Sequence, residues 1–174
     1  MCPTTCQSDL LRRCAADAGR RPTVAQSALK LYSEYTVNPE FEAGGPSVVP
    51  DLQASVVCED VRQEVNGMQT LVGIVNIVPA PTVPVALLKL CVWTRWCSGL
   101  GRFRQTARVV GTDDVQILAQ SQIDFELKEI EGHVTNVNLF TGVQFEHYGI
   151  HHIEIILDDE LRLRYPLAVV QISL

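Results

Sequence analysis

Residues 61–78 read VRQEVNGMQTLVGIVNIV and contain the strongest local fold signal in the chain. At the centre lies Asn66-Gly67, a dipeptide favoured in two-residue hairpin turns because a type I′ turn needs positive φ at both central positions. The runs on either side, 61–65 and 68–78, predict two antiparallel strands joined by a tight turn. Three prolines between positions 79 and 84 end the second strand, since proline lacks the amide donor that a sheet requires.

Short β-rich runs continue outward from this hairpin over the segment 51–174. No helical run of about 10–15 residues separates them, which argues against a parallel α/β sheet. We predict an all-β domain at 51–174 with about eight strands, folded as an antiparallel two-sheet β-sandwich of immunoglobulin-like or related type. An incomplete barrel is the alternative. The further runs are 52–58, 86–96, 102–110, 115–127, 133–145, 150–157 and 161–172.

Strict alternation assigns the two faces of neighbouring runs. Phe103, Ala107 and Val109 point to one side, and the basic residues between them point to solvent. The run 115–127 alternates in the same way and carries acidic residues on its solvent side. If the two runs pair as a hairpin, a basic row lies beside an acidic row, and each cross-strand pair contributes about 0.2–1 kcal/mol. The charged residues are Arg102, Arg104, Arg108, Asp124, Glu126 and Lys128.

Residues 1–50 differ from the rest of the chain and predict a poorly structured leader and linker. They contain five prolines, a Gly-Gly-Pro sequence at 44–46 and no strand-like alternation. Thr23 and Gln26 form a capping-box pattern, and apolar residues then recur at helical spacing until Asn38-Pro39, which predicts one short helix at 23–36. A functional chain that starts downstream of this leader is the alternative.

The charge of the chain lies in its second part. Five of the 14 basic and five of the 20 acidic residues lie in 1–50, so nine basic and fifteen acidic residues follow, a net charge of −6. This excess of acidic residues disfavours nucleic acid as a partner. The aromatic and basic cluster at 93–104 does not change this expectation, because alternation places Trp93 and Arg95 on one strand face and Trp96 on the other.

The sequence predicts neither export nor a membrane anchor. No apolar run approaches the roughly 20 residues that span a bilayer, and residues 1–21 lack the apolar region of a signal peptide. We therefore expect a cytoplasmic protein, and its six cysteines as reduced thiols. Cys58, Cys91 and Cys97 lie in strand-like runs, where a thiol behaves as a small hydrophobic side chain. The alternative is a Cys58–Cys91 disulfide between the two sheets.

Two groups of side chains are candidate binding residues. Glu59 and Asp60 interrupt an apolar run, so we expect them at a strand end or bulge with Arg62 as their partner. Calcium or a substrate at this carboxylate pair is the functional alternative. Trp93 and Trp96 are candidates for stacking on a sugar ring.

Catalytic and metal-binding signals are weak. His147 and His151, with Glu146 or Glu154, could supply metal ligands, but a strand places His151 and His152 on opposite faces. The chain also lacks a Gly-x-Ser-x-Gly elbow and a glycine-rich phosphate loop. We expect no cofactor, no metal and no enzymatic activity.

The segments CEDVRQE at 58–64, Asn66-Gly67 and LVGI at 71–74 resemble a family of uncharacterised bacterial proteins known only as a domain of unknown function. The similarity continues through LLKLC at 87–91 to Tyr165-Pro166 and covers about residues 53–172. Membership implies a small β-sandwich, and it implies no activity, cofactor or catalytic residue.

These observations favour a non-catalytic protein-binding or assembly module of the bacterial cytoplasm. A rigid sandwich would present a sheet face, a strand edge or end loops to a protein partner, or would self-associate. A carbohydrate-binding sandwich that uses Trp93 or Trp96 is one alternative. A metal-dependent enzyme built on His147, His151 and the nearby acids is the other.

Overall fold

The computed structural model describes residues 47–173, and this part of the chain is built from nine β-strands. The strands lie within the predicted domain at 51–174, and most of their bounds agree with the predicted runs to one or two residues. They are β1 (Asp51–Gln63), β2 (Gln69–Ile74), β3 (Ile77–Ala80), β4 (Val85–Cys97), β5 (Gly101–Val110), β6 (Ile117–Leu127), β7 (His133–Phe145), β8 (Gly149–Leu157) and β9 (Glu160–Gln171).

The strands form two facing sheets. The four-stranded sheet has the order β2-β1-β4-β7, and the five-stranded sheet has the order β3-β9-β8-β5-β6. Neighbouring strands are antiparallel except for β3 and β9, which pair in parallel. The prediction of an all-β, two-sheet antiparallel sandwich is confirmed, and the single parallel pair was not predicted.

The predicted hairpin at Asn66-Gly67 is present, but its turn differs from the prediction. Gly67 N donates to Glu64 O at 2.9 Å, and Glu64 N donates to Met68 O at 2.7 Å. Gly67 has a φ of 83°, while Asn66 keeps a negative φ. The turn therefore has three residues and ends in a glycine with positive φ, an alternative that suits the same twist between strands.

The predicted single strand at 68–78 is wrong, because it divides between the two sheets. β2 ends at Ile74, and β3 begins at Ile77 beside β9 of the opposite sheet. Burial explains the crossing: Val78 and Ala80 are 2% and 0% exposed in β3. In the other direction, the runs 52–58 and 61–65 join into one strand, so Glu59 lies inside β1 and not at its end.

Aromatic side chains join the two sheets in the core. Trp96 of β4 stacks on Phe125 of β6 with ring centroids 5.9 Å apart, and Phe103 of β5 lies 5.7 Å from the same ring. Burial of such apolar side chains is the main favourable contribution to folding. Other core residues from both sheets are Val57, Leu90, Val92, Phe140, Phe145, Ile153, Ile155, Leu157, Leu167 and Val169.

A buried amide forms the polar centre of this core. The Oε1 atom of Gln105 in β5 accepts hydrogen bonds from Trp96 Nε1 at 2.5 Å, Thr94 Oγ1 at 2.7 Å and Asn136 Nδ2 at 3.1 Å. Its Nε2 atom donates to Asn138 Oδ1 at 2.5 Å. Gln105 belongs to the five-stranded sheet and its four partners to the other, so this network ties the sheets together at one register.

The outer face of the five-stranded sheet carries the predicted charge ladder. Arg102 is registered opposite Glu126 and Arg104 opposite Asp124, with N···O distances of 3.5 and 2.7 Å. Arg164 extends this polar face, because it contacts Asp114 and lies 3.7 Å from Glu154. On this face Arg102, Arg104 and Arg164 are paired with acids, and Arg108 donates to the neutral Gln120.

The leader at 1–50 and its predicted helix at 23–36 lie outside the described residues, apart from residues 47–50. Val48 forms an isolated antiparallel bridge with Leu100 just before β1. Within residues 47–173 there is no helix long and apolar enough to cross a membrane.

Replacing Gln105 with alanine should lower the free energy of unfolding by about 3 kcal/mol, because buried donors such as Trp96 Nε1 and Thr94 Oγ1 lose their acceptor. Urea unfolding should show a lower midpoint at unchanged slope. Gln120→Ala is the matched control: this exposed glutamine accepts one bond from Arg108, and its loss should cost less than about 0.5 kcal/mol. Equal effects of the two substitutions would contradict the role of the network.

Candidate functional site

The outer face of the four-stranded sheet is set by the core contacts of the neighbouring strands β4 and β7. Thr94 and Trp96 of β4 reach Gln105 in the core, so Trp93 and Arg95 point outward by alternation. The same holds in β7, where Asn136 and Asn138 reach Gln105. The predicted placement of Trp93 and Arg95 on one face and Trp96 on the other is therefore observed.

Six outward side chains on three strands form one continuous area, which we name the Trp93–Arg95 surface. In the register of the sheet, Trp93 lies between Val56 of β1 and Val137 of β7. Leu139 lies two residues after Val137 on β7 and is 50% exposed. Arg95 lies two residues after Trp93 on β4, opposite Thr135 of β7. The surface consists of Val56, Trp93, Arg95, Thr135, Val137 and Leu139.

The β1–β2 hairpin curls over one side of this surface. Trp93 Nε1 donates a 2.6 Å hydrogen bond to Gln69 Oε1 at the start of β2. Gln69 is registered opposite Gln63 and Trp93 opposite Val56, so in a flat sheet they would lie seven positions, or about 23 Å, apart along β1. The hairpin must bend back for the bond to form, and it makes a wall beside the indole ring.

A close approach at Gly73 accompanies this bend. Gly73 has a φ of 63°, and a Cβ atom added there would lie 2.6 Å from Glu59 Oε2. Glycine suits this position because it adopts a positive φ at little cost, and its missing Cβ leaves room for the Glu59 side chain. Glu59 therefore packs along β2, while the next residue, Asp60, faces other partners.

Asp60 forms an ion-pair cluster at the base of the hairpin. Its Oδ1 atom accepts a hydrogen bond from Lys89 Nζ, and its Oδ2 atom lies 3.5 Å from Arg62 Nε. The hydrogen bond from Lys89 is the main cause of the lowered pKa of Asp60. The predicted partner Arg62 is present, but sequence reasoning missed Lys89, which lies 29 residues away. Both carboxylate oxygens already bind cationic side chains, so the cluster is explained without a ligand.

Two buried thiols lie side by side where β1 pairs with β4. Cys58 and Cys91 are register partners on β1 and β4 and are 0% and 2% exposed. A disulfide between the two sheets is wrong as a hypothesis, because both residues belong to the same sheet and both are free thiols. Burial raises the pKa of Cys58 to about 11, with the neighbouring Cys91 as the second cause. Burial likewise raises the pKa of Cys91.

Trp96 lies in the core and not on a surface. It is 0% exposed, and its indole nitrogen donates to Gln105. A bound sugar could not reach it. Of the two candidate tryptophans, only Trp93 is partly exposed.

The histidines do not come together as ligands. His151 is 2% exposed, and its ring packs perpendicular to that of Phe145 with the ring centroids 4.9 Å apart. Burial lowers the pKa of His151. His152 points to the opposite face, where it lies 3.1 Å from Asp114, and His147 is exposed before β8. Among the residues from 47 to 173, no three His, Cys, Asp or Glu side chains are grouped so that they could hold a metal ion.

Comparisons with known proteins agree with the resemblance seen in the sequence. A family model described as a family of unknown function (DUF6941) matches residues 53–170. No curated protein matches the sequence. Among solved structures, the chain is similar to an immunoglobulin-like protein from Pseudomonas aeruginosa, with 13% sequence identity and a TM-score of 0.36, over 72% of this chain and 100% of that chain.

The two tryptophans should differ in their access to a quencher. In Trp96→Phe the remaining Trp93 is partly exposed, so acrylamide should quench its fluorescence readily. In Trp93→Phe the remaining Trp96 is buried and should resist quenching. Both variants should be quenched equally in urea. Equal quenching of the folded variants would show that Trp93 is not at the surface.

Stability should fall as pH rises from 9 to 11. The pKa of Cys58 is raised from an ordinary 9.0 to about 11, so the native state holds this proton more tightly than the unfolded state does. The raised pKa contributes roughly 2–3 kcal/mol to the free energy of unfolding. This contribution is complete below pH 9 and is lost as the pH rises past the pKa of the folded state. Urea midpoints at pH 8 and 10.5 should differ less in Cys58→Ala than in the wild type. An identical loss in both proteins would contradict this assignment, and Cys97→Ala serves as the control.

Proposed function

The chain belongs to the family of unknown function DUF6941, and from its own surface we propose that it is a non-catalytic protein-binding module that uses the Trp93–Arg95 surface. We place this module in the cytoplasm, as the sequence predicts. Its partner is a protein of different sequence that lays an apolar segment across the outward side chains of β1, β4 and β7.

The observation that carries this proposal is the difference between the two outer faces. On the five-stranded sheet, Arg102 and Arg104 have acidic partners directly across the strand pair, as a solvated face does. On the four-stranded sheet, Val56, Trp93 and Val137 form an apolar row instead. Aromatic and arginine side chains among apolar neighbours are the composition that dominates the energy of protein interfaces.

The sheet edges favour binding through a face over strand addition. Gly73 interrupts β2, and β3 has only four residues, including Pro79. The edges formed by β6 and β7 meet each other, where Asn138 Nδ2 donates to Ser121 O at 3.2 Å. Short, interrupted or covered edges are the devices by which sheets avoid adding strands. Within residues 47–173, these features favour a sheet face over a strand edge as the area open to a partner.

Site-specific photocrosslinking tests the proposal. We expect benzoylphenylalanine in place of Leu139 to crosslink one defined protein in cells of the source organism. The same probe in place of Gln122, on the outer face of the five-stranded sheet, should not capture it. The partner, once purified, should bind the wild type, and Leu139→Asp should weaken this binding at least about tenfold, which corresponds to 1.4 kcal/mol.

Three results would refute this assignment. One is crosslinking of the same proteins from both positions, and another is equal affinity of the purified partner for wild type and Leu139→Asp. The third is a crosslink from position 139 only to a second copy of the chain, which would make the surface a dimer interface. A circular dichroism spectrum of each variant verifies that the sandwich is retained.

A further inference from the structure

Arg95 is the one arginine of residues 47–173 whose side chain has no hydrogen-bond or ion-pair partner. Its Nε atom is buried and lacks an acceptor. Every other arginine in this range has a partner: Arg62 has Asp60, Arg102 has Glu126, Arg104 has Asp124, Arg108 has Gln120, Arg162 has Glu160 and Arg164 has Asp114.

The absence of a partner is a consequence of where Arg95 lies. Its register neighbours are Ala54 on β1 and Thr135 on β7, neither of which carries a charge. Trp93 precedes it on the same face. The guanidinium is half-buried and has lost water on its Nε side without gaining an acceptor, and an anion bound by its other nitrogens would neutralise the charge that is left there.

We infer that the protein segment received by the Trp93–Arg95 surface carries a carboxylate beside an apolar side chain, and that Arg95 binds this carboxylate. The inference rests on the proposed function and names the chemistry of its partner. The apolar side chain would lie on Trp93, Val137 and Leu139, while the acid one or two positions away would reach Arg95. A planar guanidinium binds a carboxylate through two parallel hydrogen bonds, which fixes orientation as well as charge.

A single carboxylate fits this surface better than a polyanion does. Arg95 is one isolated cation, and the chain after Pro50 carries nine basic and fifteen acidic residues, a net charge of −6. Such a domain repels a chain of phosphates at long range. One acid among apolar residues meets Arg95 at short range, where the surrounding side chains exclude water and strengthen the ion pair.

Peptide selection tests this inference. Random 12-residue peptides displayed on phage are selected on the full-length protein, and enriched sequences are synthesised. We expect them to share Asp or Glu within two residues of an aromatic or aliphatic side chain. Replacing that acid with its amide should weaken binding at least about tenfold, a readout that does not depend on the folding of any protein variant.

Variants of the protein provide the reciprocal test. Arg95→Gln should weaken binding of the acidic peptide as much as the amide substitution in the peptide does, and the two changes together should cost little more than either alone. Arg95→Lys should retain part of the affinity, because it keeps the charge without the bidentate geometry. Arg162→Gln, an arginine on the other sheet, is the matched control and should bind as the wild type does.

The outcomes separate this inference from the proposed function. Peptides that lose affinity with Leu139→Asp but not with Arg95→Gln would overturn the inference that Arg95 binds a carboxylate, and would leave the proposed binding surface in place. Peptides that bind both variants as tightly as the wild type would overturn both, and so would a selection that enriches no peptide. Enriched peptides without any acid would also overturn the inference.

Discussion

The buried amide of Gln105 is the contact on which the arrangement of both sheets depends. It accepts from Trp96, Thr94 and Asn136 and donates to Asn138, so one side chain of the five-stranded sheet binds two strands of the other. A shift of one residue in β4 or β7 would replace these partners with outward-facing side chains and leave the amide unpaired in an apolar core. The network therefore specifies which side chains of β4 and β7 face solvent, and with them the Trp93–Arg95 surface.

The two outer faces of the sandwich differ in how their arginine side chains are paired. On the five-stranded sheet, acids stand opposite the arginines, so this face is complete without a ligand. On the four-stranded sheet, Arg95 stands between Ala54 and Thr135. The same residue type is therefore paired with acids on one face and has a buried, unpaired Nε atom on the other. This difference, more than the amount of apolar surface, supports a role in binding.

The bent β1–β2 hairpin adds shape to a face that would otherwise be flat. The bond between Trp93 and Gln69 holds the indole ring against the hairpin and limits its rotation. On β1, before the hairpin, burial raises the pKa of Cys58 to about 11. A ring held in one orientation loses little conformational entropy when a partner covers it, which favours affinity.

The amino-acid sequence by itself determined the class of fold, most of the strand runs, the Asn66-Gly67 hairpin and the basic row beside an acidic row, because these follow from alternation and turn chemistry over short distances. It also showed that Trp93 and Trp96 take opposite faces. Only the tertiary structure decided which face of β4 lies in the core, since that depends on Gln105 from another strand. The crossing to β3, the bend of the hairpin and the unpaired Nε atom of Arg95 were likewise beyond the sequence, because each depends on residues brought together by long-range packing.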